Sequence, residues 1–165
     1  MTLIRDGRRV DDPYTDASAL EAVPPTGPVI VSLAQWQAGR EALLARGVPV
    51  GVRLRSDQHP QAIAADATRL AVIALEFPKF RDGRAYSHAR LLRERYGYTG
   101  ELRAVGDVLQ EQLTFMRRCG FDTFDLQSPD PERAWAAVAG DHTAFYQGTG
   151  ASPGFAWPQR ARSLT

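Results

Sequence analysis

The sequence predicts an α/β fold: a parallel sheet of about five strand-helix units, either open or curved like half a barrel. Three observations lead there. Five short apolar runs are each followed by a segment with helical spacing or a helix start signal. A strand that returns through a helix comes back parallel to the one before it. The runs are nearly continuous rather than alternating, which suits a sheet covered on both faces. Five units are too few for a closed eight-stranded barrel. An open sheet is therefore the first reading. A half-barrel that a homodimer would complete is the second.

The elements follow in chain order. Leu3-Ile4 forms a short strand, Asp6-Gly7 a hairpin turn, and Val10 returns the chain. Residues 11–28 read as loop, punctuated by Pro13, Pro24, Pro25, Gly27 and Pro28, so residues 1–28 form a leader laid on the domain. The first unit is Val29–Ser32 and a helix over Leu33–Arg46, capped by Ser32 and stopped by Gly47. The second is Val48–Leu54 with a shorter helix over Asp57–Ala67, and the third strand, Leu70–Phe77, is the most apolar. A loop at 78–85 leads to a helix over Tyr86–Tyr96 that ends at Gly97. The fourth strand is Glu101–Val105. The helix after it takes Asp107 as its cap and Gln110 as the capping-box partner, and turns Leu109, Leu113 and Met116 inward. Phe124–Leu126 is the fifth strand, and Ser128-Pro129 opens a last helix over Asp130–Ala139. The α/β domain runs over 29–147, with a helical turn up to Gln147. The Gly-, Pro- and Ser-rich stretch 148–165 reads as a flexible tail.

Composition narrows the function classes. A chain of 165 residues with 44% hydrophobic residues and a net charge of +1 folds as a domain. The single cysteine, Cys119, excludes internal disulfides and Cys-rich zinc or iron–sulfur sites. His59, His88 and His142 lack ligand spacing, so no metal site is expected. No apolar run reaches the roughly 18 residues of a membrane span, and Met1–Asp12 lacks the apolar core of a secretory signal, so a cytoplasmic protein without membrane contact is expected. Nineteen of the twenty basic residues are Arg, and nine basic residues against five acidic ones fall within 79–118. That excess is too small for nucleic-acid binding but enough for a local anion site.

Ligands of open parallel sheets bind beyond the carboxyl ends of the strands. The loop after the third strand is the richest such place. Phe77 and Phe80 flank Lys79, and Arg81 and Arg84 follow. Tyr86 and Ser87 sit at the start of the next helix, with Arg90 one turn on. A small anion held by Lys79, Arg81, Arg84, Tyr86, Ser87 and Arg90 is the sharpest expectation; a solvated Arg-rich loop is the plain alternative. Glu76, Asp107, Arg53 and Arg55 also lie at strand ends and are secondary candidates, Asp107 first of all as a helix cap. Cys119 continues the inward side of its helix and reads as a buried small hydrophobe. There is no Walker A loop, no G-x-S-x-G and no dinucleotide fingerprint, so no cofactor is evident and no catalytic set can be named.

The stretch from Leu75 to Ser87 with Ala89 to Arg93, then Gly100 to Leu109, Gln112-Leu113, Phe115-Met116 and Arg118 to Asp122, resembles the signature of the domain of unknown function 934 family, and Pro28 to Gly51 is similar to it as well. The likeness covers roughly residues 1–140. It implies a bacterial protein described as a probable oxidoreductase in sulfite reduction, because the genes of the family lie beside those of assimilatory sulfite reductase. It brings no catalytic residues. The expected function is an accessory protein of assimilatory sulfite reduction that binds the reductase or an anionic intermediate. The alternative is a small α/β oxidoreductase or other enzyme acting on an anionic substrate.

Overall fold

The structure, a computed structural model, describes residues 2–139. The expected turn up to Gln147 and the tail at 148–165 lie outside the described residues. Eight strands form one mixed sheet: β1 Leu3–Arg5, β2 Arg8–Val10, β3 Thr15–Asp16, β4 Val29–Ser32, β5 Val50–Leu54, β6 Val72–Phe77, β7 Glu101–Gly106 and β8 Thr123–Asp125. Their order is β2-β1-β8-β7-β6-β5-β4-β3. The strands from β3 to β8 run parallel, each beside its sequence neighbour, which includes all five expected strands. The expectation of a purely parallel, five-unit sheet needs correction at the edges. β1 lies antiparallel to β8 and β2 antiparallel to β1, so the first residues of the chain are part of the sheet. The hairpin between them turns on Asp6 at φ 49° and Gly7 at φ 80°, the left-handed pair that suits the twist of adjoining strands.

The sheet curls into an open half-barrel, and the chain itself shows why. β2 and β3 lie at opposite edges, yet only residues 11–14 join them. That link spans about 18 Å at most, at roughly 3.6 Å per step. A flat sheet of this width would hold its outer strands about 34 Å apart, at roughly 4.8 Å per strand. The edges must therefore bend toward each other, and residues 11–14 cross the inner face as a strap.

A strand order without reversal sends every right-handed crossover to the same side. Helix α1 (Leu33–Ala45), the 3-10 segment Pro60–Arg69, α2 (Arg84–Arg90), α3 (Leu113–Cys119) and α4 (Pro131–Ala139) bury their apolar residues in one cluster with Ile4, Val31, Val52, Ile73, Leu75, Leu102 and Phe124. The opposite parity of the strands carries Ile30, Val72, Ala74 and Val105 in a small second cluster with Tyr14, and no helix residue joins it. The expectation of a sheet covered on both faces takes an unequal form: helices cover one face and only the strap crosses the other.

Local chemistry sets the element ends. Ser32 caps α1 by accepting from Gln35 N at 3.2 Å, while Gln35 Oε1 accepts from Ser32 N at 2.7 Å. The second expected helix is instead 3-10, opened by Pro60 with His59 Nδ1 accepting from Gln61 N at 3.2 Å. Helix α2 begins at Arg84, earlier than expected, and continues into a π turn at Leu91–Arg95. Inside that turn Arg93 donates to the carbonyls of Tyr98, Gly100 and Gly120 and to Asp122, tying together the two loops that lead into β7 and β8.

Candidate functional site

Two places carry polar chemistry, one at the carboxyl ends of the strands and one on the inner face of the sheet. The first is the 78–83 loop between β6 and α2. Its anchor is Phe80, whose backbone is held at both ends. Phe80 N donates to Asp107 Oδ2 at 2.9 Å, and Phe80 O accepts from Gln112 Nε2 at 3.5 Å. Asp107 therefore does not cap the following helix, as expected from sequence. It follows Gly106, turns back on β6 by donating its own N–H to Phe77 O at 2.7 Å, and spends its carboxylate on the loop. Gln112, not Gln110, reaches back to Leu109 N.

The clamp leaves the Phe80 ring 49% exposed. Phe115 on α3, three residues past Gln112 and so on the same helix side, is also 49% exposed. Tyr86 packs edge-on between the buried Phe77 and Phe115, at 5.1 and 4.8 Å between ring centres. Burial raises the Tyr86 hydroxyl pKa, so it stays neutral. Lys79 and Arg81 are exposed beside Phe80, and the Arg118 guanidinium lies 6.0 Å from the Phe115 ring. Two exposed aromatic residues result, each beside positive charge: Phe80 between Lys79 and Arg81 in the chain, and Phe115 next to Arg118.

The expected anion cluster divides in this setting. Arg84 donates to Asp82 at 2.9 and 2.6 Å and to Ser56 Oγ at 3.0 Å. The Arg84 hydrogen bonds first, and then one from the Ser56 hydroxyl to Asp82 itself, hold the Asp82 carboxyl well below the usual carboxylate range. Arg90 pairs with Glu94 one turn along its own helix, at 3.2 Å. Ser87 lies exposed on α2, whose start has no side-chain cap. Arg55 pairs with its neighbour Asp57 on the surface.

The second place is the inner face. Arg53 and Glu76, two of the secondary candidates, meet there at 3.2 Å, and Arg53 also holds Asp16 at 2.8 Å. Arg103, 4% exposed, donates to Asp12 of the strap at 2.6 and 3.1 Å and to Glu101 at 2.9 Å. Tyr14 of the strap lies over its guanidinium, 5.6 Å from ring centre to Cζ. Glu101 also accepts from Arg5 and from Thr123 Oγ1. Asp125 lies among these residues, and burial raises its pKa above the ordinary 3.8. A cleft of about 110 Å³ opens here, lined by residues that include Asp12, Asp16, Arg53, Arg103 and Asp125. Arg103 and Asp125 were not singled out from sequence. The available signal is the period of two in Glu101-Leu102-Arg103-Ala104-Val105 and Thr123-Phe124-Asp125, a mark of strands with one polar face.

A family model described as "Bacterial protein of unknown function (DUF934)" matches residues 51–157, more than half of the chain, and the chain belongs to that family. The match spans the 78–83 loop, Asp107, Gln112 and Phe115. No curated protein matches the sequence.

Proposed function

We propose, with membership of that family as the premise, that the chain is an accessory protein of assimilatory sulfite reduction that docks on a partner protein, the sulfite reductase first among them. The observation that carries this reading is the held loop: both backbone polar groups of Phe80 are bonded while its ring stays half in water. A loose loop lets such a ring fold onto the surface; a clamped one presents it. Aromatic rings beside cations are the groups that dominate protein interfaces. Covering the exposed halves of Phe80 and Phe115 removes roughly 150–250 Å² of apolar area from water, worth about 4–6 kcal/mol before the costs of association. Lys79 and Arg81 then favour an acidic partner surface. A small anion is the lesser reading, because Arg84 and Arg90 already hold carboxylates. Among the described residues, no helix is long and apolar enough to cross a membrane.

The test is genetic. A deletion strain grows poorly on sulfate and normally on cysteine; a plasmid copy restores growth, and a copy carrying Phe80→Ser with Phe115→Ser does not. Unimpaired growth of the deletion strain on both sources removes the sulfur assignment. Full rescue by the double variant removes the patch.

A further inference from the structure

The inner cleft has the form of a binding site that the docking surface does not use. Its floor is built from Leu3, Ile30, Ala74 and Val105, all buried, together with Asp125, 7% exposed. Its rim carries Asp12, Asp16 and Arg53, which are partly exposed. Asp125 Oδ1 is buried and has no hydrogen-bond partner among the described residues. A buried carboxylate short of donors is costly, and Asp125 lines the cleft, so the cleft suits a donor group.

Charge decides what kind. Arg53 already holds Asp16 and Glu76, and Arg103 already holds Asp12 and Glu101. With Arg5 on Glu101, three guanidinium groups face five carboxylates once Asp125 is counted. Even with the amino-terminal ammonium, whose charge also acts on Asp125, the face carries net negative charge when all are ionised, and an anion would have to displace existing ion pairs. A metal ion is a poor match as well, since among the described residues no group of three or more acidic, His or Cys side chains is placed to hold one. The walls are aliphatic, which suits a carbon substituent rather than a bare ion. The space of about 110 Å³ is that of only about three or four waters, so the occupant has few heavy atoms.

We propose that this cleft binds a small organic amine as its ammonium form, with the N–H of the ammonium donated to the Asp125 carboxylate and the carbon substituent against Ile30, Ala74 and Val105. The site is separate from the Phe80 patch, and the proposal stands or falls without it. Methylammonium is the probe, followed by the backbone amide resonances of Leu3, Ala74, Val105 and Asp125 in the full chain. Tetramethylammonium, which has charge but no N–H, and acetate are run at equal ionic strength. The expected result is a saturable shift of those resonances with methylammonium alone, weakened about tenfold or more in Asp125→Asn, a loss near 1.4 kcal/mol. Asp125→Leu provides a second variant with no polar group, and the wild-type amide pattern elsewhere in its spectrum shows that it folds. No saturation by methylammonium means that water alone fills the cleft, and overturns the proposal. So does equal binding by either variant, by tetramethylammonium or by acetate.

Discussion

Replacing Arg103 by methionine tests whether the strap and the inner face are held by this one side chain. Arg103 is 4% exposed and makes its bonds to Asp12 at 2.6 and 3.1 Å and to Glu101 at 2.9 Å. Deleting one partner of a buried ion pair costs about 3–5 kcal/mol. The low end applies here. Asp12 is 40% exposed and can regain water, and Glu101 keeps Arg5 and Thr123. A loss of about 3 kcal/mol lowers the melting temperature of a chain this size by roughly 6–12 °C. Urea unfolding followed through Trp36 and Trp135, both buried, reads the midpoint and the slope. The midpoint should fall with little change in slope, and residues 11–14 should become a site of limited proteolysis. A loss below about 1 kcal/mol, the value of an exposed pair, would refute the reasoning and make the strap independent of Arg103.

Three other outcomes follow. Burial holds the Asp125 carboxyl above 3.8, so its favourable contribution is full below that pH and is lost as pH rises through the folded value. Asp125→Asn should therefore be more stable than wild type near pH 7 and gain little near pH 3.5; equal gains in urea midpoint at both would contradict this. Gly106 sits at φ 94°, and a Cβ there would lie 2.5 Å from the Phe77 carbonyl oxygen. Gly106→Ala should cost about 2–3 kcal/mol in unfolding experiments, and a neutral result would show that the turn into Asp107 can shift. Cys119 is 3% exposed and burial raises its thiol pKa, so native labelling by a thiol reagent should be slow and become fast in denaturant; rapid stoichiometric labelling of the native chain would count against this.

The helix-facing half of the fold was legible because it follows periodicity. Val31, Val52, Leu75 and Leu102 lie in apolar runs and fall in the main core. The cap at Ser32 and the stop at Gly47, φ 69°, were readable from local chemistry in the same way. The inner face was less legible. Arg53 and Glu76 were noticed only as strand ends, because their ion pair joins residues far apart in sequence. Strand β3 has only two residues and takes its place from the sheet edge, which no local pattern announces. The role of Asp107 was misread since an acid ahead of a helix is normally a cap. Here Gly106 turns the chain so that Asp107 meets the Phe80 amide across the loop. Exposure of Phe115 was invisible for a related reason: its face of α3 points past Tyr86 into solvent rather than onto the sheet.

Docking of the Phe80 loop on the sulfite reductase is open to a direct binding measurement. Interferometry with the immobilised full-length chain and purified assimilatory sulfite reductase tests it directly. Binding should be saturable, weaken at least about tenfold in Phe80→Ser and fall with added salt, as expected where Lys79 and Arg81 meet acidic groups. Both variant and wild type should melt within about 1 kcal/mol of each other, since the ring is half exposed. No binding by the wild type, or equal binding by Phe80→Ser, would contradict the claim.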